Sequence, residues 1–216
     1  MARPTFDLLL ITDPTLGSGL VDQVGAALAG CHGCGRRVAV QLRAKRLSTR
    51  ELVAAGRALR QITSAAGSAL LVNDRLDVAR VCEADGVQLP EAGMEVEDAR
   101  RALGEAALIG VSRHDLHGIQ RAARAGADFA TLSPVHAVAG KGEALGISGV
   151  QRIIDQLAPP IPVYALGGVG PADAQPLLAA GARGIAVIRA VLGQESPGKA
   201  TAAILDALTR THHQGT

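Results

Sequence analysis

The alternation of short apolar runs with amphipathic, alanine-rich stretches constrains the fold of this chain more than any other feature. Each apolar run has the length of a strand and is followed by a stretch with helical spacing. This alternation predicts βαβ units and a parallel sheet. The runs are apolar almost throughout, which is typical of strands covered on both faces. The predicted strands are Leu8–Thr12, Val38–Ala44, Ala69–Asn73, Gly86–Leu89, Leu108–Ser112, Phe129–Val135, Pro162–Gly168 and Gly184–Ile188.

The number of units favours a closed barrel over an open sheet. Eight units of about 25 residues match a (β/α)8 TIM barrel, with helices predicted near 20–30, 49–63, 76–84, 95–103, 115–125, 148–157, 171–180 and 198–210. The alternative, a doubly wound sheet, normally carries a glycine-rich phosphate loop after its first strand. That position reads "ITDPTLGSG", without G-x-G-x-x-G. We therefore predict one barrel domain over residues 1–210 and a tail over 211–216.

Composition narrows the class of protein and its partners. Hydrophobic residues make up 48% of the chain, but the aromatic residues are only Phe6, Phe129 and Tyr164, so we expect an aliphatic core. A net charge of +2 and the absence of tryptophan argue against nucleic-acid binding. No apolar run approaches the roughly 18 residues of a membrane span, and the first residues lack a signal-peptide core. We expect a cytoplasmic protein with small-molecule partners, and a homo-oligomer is compatible with the sequence.

The cysteines do not indicate a disulfide framework. The chain has three cysteines, Cys31, Cys34 and Cys82, and an odd number cannot all form disulfides within one chain. The "CHGC" spacing at 31–34 matches redox and zinc sites, but a zinc site needs further ligands, which His212 and His213 would supply only if the tail folded back. We expect a loop with incidental thiols.

Polar side chains alternate along the end of the second predicted strand, at the end of a TIM barrel where active sites form. Gln41, Arg43 and Lys45 alternate in "QLRAK" and share one face of an extended segment. Polar groups that point together into a barrel mouth are costly unless they bind a ligand. Arg43, Lys45 and Lys141, which stands in the bare loop "HAVAGKGEALG", predict a site for a highly charged anion.

Two further strand ends carry candidate binding residues. The third strand ends at Asn73, and Asp74 comes directly after it, where Asp74 could hold Mg²⁺ through one carboxylate. The alternatives for Asp74 are a helix N-cap or a partner of Arg75. After the seventh strand, Gly167 and Gly168 let the backbone approach a phosphate. Pro171 is expected to open a helix whose N-terminus favours an anion.

These blocks together resemble the thiamin phosphate synthase/TenI family of (β/α)8 barrels. The resemblance extends over nearly the whole chain, in the order "LLLITD", "VQLRAK", "LLVNDRLDVA", "ADGVQLP", "IGVSRH", "AGADFATLSPV", Lys141, "PVYALGGV" and "AGARGIAVI". It implies the joining of hydroxymethylpyrimidine pyrophosphate to thiazole phosphate, with release of pyrophosphate.

The resemblance also implies roles for individual residues. Gln41 and Arg43 would contact the pyrimidine diphosphate with Lys45 nearby, and Asn73 would bind diphosphate oxygens. Asp74 would hold Mg²⁺, while Ser112 and Lys141 would grip the leaving pyrophosphate. The pocket for the thiazole phosphate would be lined by Gly167, Gly168, Val187 and Ile188.

The chain departs from the synthase pattern at the metal site and at the pyrophosphate cradle. In "DGVQLPEAG", Gln88 replaces a histidine, Pro90 a glycine, and Gly93 the aspartate that would be a second Mg²⁺ ligand; Glu91 is a shifted substitute. Val138 and Gly140 replace two hydroxyl side chains, and Ile188 stands where a serine is common.

Two alternatives to the synthase remain open on the sequence. "VQLP" is typical of the TenI branch, which includes a thiazole tautomerase that needs no metal. Its catalytic histidine corresponds to Pro134, and His136 lies two residues on, on the same face if the strand continues. His136 would then be a general acid/base, or else an ordinary loop histidine. The second alternative is a non-catalytic barrel that binds thiazole or thiamin phosphates.

Overall fold

Eight parallel strands close into a barrel in the order of the sequence, with β8 paired to β1. The computed structural model describes residues 6–16, 19–30 and 37–209. The predicted (β/α)8 barrel is confirmed. The strands are β1 Leu8–Ile11, β2 Val38–Leu42, β3 Ala69–Asn73, β4 Gly86–Leu89, β5 Leu108–Arg113, β6 Phe129–Leu132, β7 Val163–Leu166 and β8 Gly184–Val187.

The helices surround this barrel and agree with the predicted positions to within a few residues. They are α1 Leu20–Ala29, α2 Thr49–Ala66, α3 Leu76–Val81, α4 Val96–Leu103, α5 Leu116–Arg124, α6 Gly146–Asp155, α7 Ala174–Ala179, α8 Arg189–Leu192 and α9 Pro197–Thr209. The short α8 was not predicted. Pro171 opens a three-residue 3-10 turn, Pro171–Asp173, rather than the expected α-helix. The long α2 begins with a capping box between Ser48 and Glu51.

The sixth strand is shorter than predicted. It ends at Leu132 and not at Val135, because Pro134 has no backbone N–H to donate to the sheet. After Pro134 the chain hydrogen bonds to β7, where the N–H of Val135 donates to the carbonyl of Leu166 at 3.0 Å. The loop that follows is closed at its base by backbone hydrogen bonds from Leu145 and Gly146 to the carbonyls of Pro134 and Val135.

The expected aliphatic core is confirmed in the outer layer, and the inner layer adds the three aromatic residues to its aliphatic side chains. Aliphatic side chains fill the space between strands and helices. All three aromatic residues lie together inside the barrel at the amino ends of the strands. Phe6 stacks on Tyr164 with ring centroids 4.7 Å apart, and Phe129 meets both edge-on. The Tyr164 hydroxyl donates to the Phe6 carbonyl at 2.8 Å. This aromatic cluster fills the inside of the barrel at the amino ends of the strands.

Some predictions concern residues outside the part that the structure describes. These are the "CHGC" segment, His212, His213 and the tail 211–216. Cys82 is buried, and burial raises the pKa of its thiol. Over the described ranges, no helix combines the length and apolar character that a membrane crossing requires.

Candidate active site

A cavity of about 1150 Å³ opens at the carboxyl ends of the strands. Because parallel strands end on the same side of a barrel, side chains distant in sequence meet there. The structure brings together nearly all the residues that the sequence indicated. The cavity is lined by Gln41, Arg43, Lys45, Asn73, Asp74, Ser112, Lys141, Gly167, Gly168, Val187 and Ile188.

Gln41 leaves an unsatisfied acceptor at this cavity. Its side chain is buried, and its Nε2 donates to Asn73 Oδ1 at 3.0 Å. Its Oε1 is also buried and finds no hydrogen-bond donor among the described residues. Buried acceptors are normally paired. The Gln41–Asn73 hydrogen bond fixes the position of this amide group beneath the cavity.

Ser112 is held in place by two neighbours from inside the barrel. Its Oγ accepts from Gln88 Nε2 at 3.0 Å and from Thr131 Oγ1 at 3.2 Å. Gln88 is fully buried, so the residue that replaces the expected histidine supports Ser112 from below. These contacts hold the Ser112 hydroxyl in place at the cavity.

The cavity carries more positive charge than its own carboxylates neutralise. Four cationic side chains that line it make no hydrogen bond or ion pair with any described residue: Arg43, Lys45, Lys141 and Arg189. Asp13, beyond the lining, lies in the field of Arg43 and Arg189. Hydrogen bonds from Thr15, with a smaller contribution from those two charges, lower the pKa of Asp13. Unpaired cations around a concave site favour a multiply charged anion.

Of the two structural alternatives for Asp74, the helix N-cap is wrong, and the pairing with Arg75 is reduced to a Coulombic attraction weaker than that of Asp77. Arg75 pairs with Asp77 at 2.6 Å, not with Asp74. The N-cap of α3 is Arg75, without a side-chain cap. Asp74 itself has a left-handed backbone (φ 65°), and its N–H donates to the Gln88 carbonyl at 3.0 Å. Asp74 thus lines the cavity, and its carboxylate makes no hydrogen bond or salt bridge with a described residue.

The residues around Asp74 fit a cation held by one carboxylate. A Cβ at Gly93 would lie 3.2 Å from Asp74 Oδ1, so the position of the expected second ligand does adjoin Asp74. That Cβ would also lie 2.7 Å from Pro90 Cδ, which obstructs any side chain at Gly93. In the described part of the chain, no cluster of three or more His, Cys, Asp or Glu could hold a metal. Mg²⁺ bound by one carboxylate and substrate phosphates is nevertheless common, and Glu91 lines the same cavity.

The loop after β7 forms a cradle without side chains. Gly167 (φ 105°) and Gly168 (φ 72°) both have left-handed backbones. A Cβ at Gly167 would lie 2.8 Å from the Pro134 Cα, and one at Gly168 would lie 2.9 Å from the Cβ of His136. Glycine is therefore required at both positions. Since α7 has only six residues, the turn rather than a helix N-terminus is the candidate phosphate site.

Val187 and Ile188 contribute to this cradle in different ways. The Val187 side chain is buried in the outer layer, between barrel and helices. The Ile188 side chain packs against the cluster inside the barrel. Side chains alternate along a strand, so only backbone atoms of Val187 remain available for a ligand.

His136 does not occupy the position that the sequence predicted. The argument that it shares a face with Pro134 is wrong, because β6 ends at Leu132. His136 is not among the described residues that line the cavity. Its Nε2 lies 2.8 Å from Asp173 Oδ1. Because a carboxylate only accepts, this nitrogen carries the proton.

Comparison with known proteins gives the family of the chain. The family model described as thiamine monophosphate synthase matches residues 8–191. The chain belongs to this family. A putative thiamine-phosphate synthase of Geobacter sulfurreducens is 42% identical over 213 residues, which cover 96% of this chain and 97% of that protein. A thiamine-phosphate synthase of Methanoculleus marisnigri is 38% identical over 213 residues, which cover 97% of this chain and 99% of that protein.

A solved structure shows the same family likeness in three dimensions. Thiamine phosphate pyrophosphorylase from Pyrococcus furiosus superposes with a TM-score of 0.86 at 35% identity, covering 96% of this chain and 98% of that one. The resemblance seen in the sequence motifs is thereby confirmed over the barrel.

The sequence reasoning missed three charged or titratable residues that line the cavity: His114, Asp173 and Arg189. The Nδ1 of His114 lies 2.6 Å from the Ser133 carbonyl and donates a hydrogen bond to it. Arg189 is the first residue of α8 and has an exposed side chain. His114 directly follows β5 and Arg189 is the second residue after β8, at the carboxyl ends where site residues collect, and that position was the available signal.

Proposed function

We propose that this protein is a thiamine-phosphate synthase that couples hydroxymethylpyrimidine diphosphate to thiazole phosphate. The observation that carries the proposal is the convergence of unpaired cations, the free Asp74 carboxylate and the glycine cradle in one cavity of a family barrel. A reaction with a diphosphate leaving group and a phosphorylated second substrate needs two anion sites. This cavity offers cations for the first and the turn at Gly167 and Gly168 for the second.

In this reaction the bond between the pyrimidine methylene carbon and the diphosphate oxygen breaks, and the diphosphate keeps the electron pair. The thiazole nitrogen then donates its lone pair to the cationic carbon. Arg43, Lys45 and Lys141 stabilise the charge that grows on the leaving group, and Ser112 donates its hydroxyl proton as a hydrogen bond. Mg²⁺ held by Asp74 would add charge neutralisation on the same diphosphate. Asn73, fixed by Gln41, orients the diphosphate.

The thiazole tautomerase is less well supported by the geometry. That reaction needs a general base at the substrate, and the proposed base His136 is hydrogen bonded to Asp173 outside the lining of the cavity. Proton transfer also gives no use to Arg43, Lys45 and Lys141 together.

The proposal is tested by incubating the purified protein with hydroxymethylpyrimidine diphosphate, thiazole phosphate (carboxylated or decarboxylated) and Mg²⁺. We expect thiamine phosphate and diphosphate in equal amounts, and no product after chelation of the metal. Interconversion of the thiazole tautomers without metal would favour the tautomerase instead. Binding of either phosphate without product at high protein concentration would favour a carrier or regulator. The predicted cytoplasmic location and the absence of nucleic-acid partners stay predictions.

A further inference from the structure

His136 and Asp173 join two loops at the rim of the cavity. His136 Nε2 donates to Asp173 Oδ1 at 2.8 Å, and Asp173 Oδ2 accepts from the Gly170 N–H at 2.9 Å. The backbone N–H of His136 donates to the Gly167 carbonyl at 2.9 Å. The histidine therefore reaches both ends of the segment Gly167–Gly170, once through its backbone and once through Asp173.

The same histidine also packs against the middle of that segment. A Cβ at Gly168 would lie 2.9 Å from the Cβ of His136, which shows how closely the two backbones approach. A glycine pair with left-handed φ has many other conformations open to it. The contacts with His136 select one of them. Among the described residues of the loop after β6 (133–145), His136 is the one whose side chain hydrogen bonds to Asp173.

The negative charge of Asp173 is unfavourable for a phosphate nearby, and the hydrogen bond from His136 engages that charge. Its carboxylate lines the cavity next to the candidate phosphate site, where a negative charge repels a phosphate. Each of its two oxygens is engaged, Oδ1 by His136 and Oδ2 by Gly170. The His136 side chain is 43% exposed and that of Asp173 21%, so the pair sits at the border between solvent and cavity.

We propose that His136 is a positioning residue for the phosphate of the thiazole substrate and acts through Asp173. It holds the Asp173 carboxylate against the Gly170 N–H and fixes the Gly167–Gly170 turn in the form that receives the phosphate. This inference rests on the proposed function and adds to it a residue with no contact to the substrate. His136 neither takes nor gives a proton in the reaction, so it acts on substrate affinity and not on the chemical step.

The first test is steady-state kinetics of variants at this pair. We expect His136→Ala to raise the KM for thiazole phosphate about five- to twentyfold, the scale of one partly exposed hydrogen bond to a charged group. The KM for pyrimidine diphosphate and kcat stay within about twofold. His136→Gln can place an amide N–H close to where Nε2 lies, so it restores most of the affinity. His117→Ala is the matched control, since His117 is an exposed histidine on α5 that does not line the cavity.

A double-mutant cycle tests whether His136 acts through Asp173. We expect the KM for thiazole phosphate of the double variant His136→Ala/Asp173→Ala to be no higher than that of Asp173→Ala, because Asp173→Ala alone already removes the hydrogen bond through which His136 acts. Additive losses would overturn the inference. So would a fall in kcat at unchanged KM, which would make His136 catalytic, or an equal rise of both KM values with a lowered Tm, which would make it a general stabiliser.

Calorimetric titration separates this inference from the proposed function. Thiazole phosphate and the corresponding alcohol, which lacks the phosphate, are titrated into the wild type and the His136→Ala variant without the second substrate. We expect the variant to weaken binding of the phosphate about five- to twentyfold and to leave the alcohol unaffected. If the wild type makes no thiamine phosphate, the proposed function fails, while this difference between ligands still supports the positioning role. Equal effects on both ligands, or none, would overturn it.

Discussion

Replacing Lys141 by alanine is the perturbation that bears most directly on the proposed chemistry. Lys141 stands in the loop after β6, lines the cavity and has no described partner for its ammonium group. Its charge is therefore available to a diphosphate that gains negative charge as the bond breaks. The flanking Gly140 and Gly142 have open space where a Cβ would be, and the loop base is closed by backbone bonds alone. Truncation at Lys141 thus removes charge without disturbing packing.

The size of the effect follows from the number of charges and their exposure. Loss of one positioned donor at a developing anion commonly lowers kcat about 100- to 1000-fold. Lys141 is exposed and screened by solvent, and Arg43 and Lys45 remain, so we expect the lower end, about a hundredfold. Lys141→Arg keeps the charge on a side chain of different shape and should cost less than about tenfold.

The assay measures diphosphate release and thiamine phosphate formation at saturating concentrations of both substrates, with Tm recorded for each variant. Lys199→Ala is the control, because this exposed lysine on α9 does not line the cavity. A kcat for Lys141→Ala within about threefold of the wild type, with an unchanged Tm, would refute the role of Lys141. A loss of the same size in Lys199→Ala would refute the argument from position.

Three further predictions concern the metal, the cradle and the barrel floor. Gly93→Asp alone should lower Tm, since its Cβ would lie 2.7 Å from Pro90 Cδ. In the double variant Gly93→Asp/Pro90→Gly, the Mg²⁺ concentration for half-maximal activity should fall about tenfold. An unaltered metal dependence would contradict this prediction. Gly168→Ala, at φ 72°, should raise the KM for thiazole phosphate about tenfold in steady-state kinetics, whereas an unchanged KM would remove the turn from the phosphate site. Tyr164→Phe should cost about 1–3 kcal/mol in thermal unfolding, because the Phe6 carbonyl loses its donor. Burial also raises the pKa of Tyr164. The contribution of Tyr164 to stability is therefore complete below the ordinary tyrosine pKa near 10 and is lost as the pH rises above that value. Phenolate absorbance from this only tyrosine should appear together with unfolding, and titration of Tyr164 in the folded state would contradict this prediction.

The residues at the site were predictable where one local rule decided their position. Gln41, Arg43 and Asn73 come at or just after the carboxyl end of a strand, and parallel strands bring those ends together whatever the helices do. Alternation along the chain therefore located most of the cavity. His114 and Arg189 follow strands in the same way, and the same rule applied one or two residues further along would have included them.

The orientation of His136 could not be predicted from its place along a strand. Its predicted orientation depended on the sixth strand continuing past Pro134, and the strand ends before it. The position of its ring is decided by Asp173, which is 37 residues away in sequence. The roles left open for Asp74 were likewise decided by a competitor, since Arg75 pairs with Asp77.

The sequence by itself determined the barrel, the order of its strands and the end at which its chemistry collects. Those properties follow from the spacing of apolar residues, which is written along the chain. Only the tertiary structure decided the inner layer, where Phe6, Phe129 and Tyr164 gather at one end. It also decided which charged groups pair and which remain free, because pairing depends on distances between distant segments. The separation of His136 from the cavity and the unpaired state of Lys141 are both results of that kind.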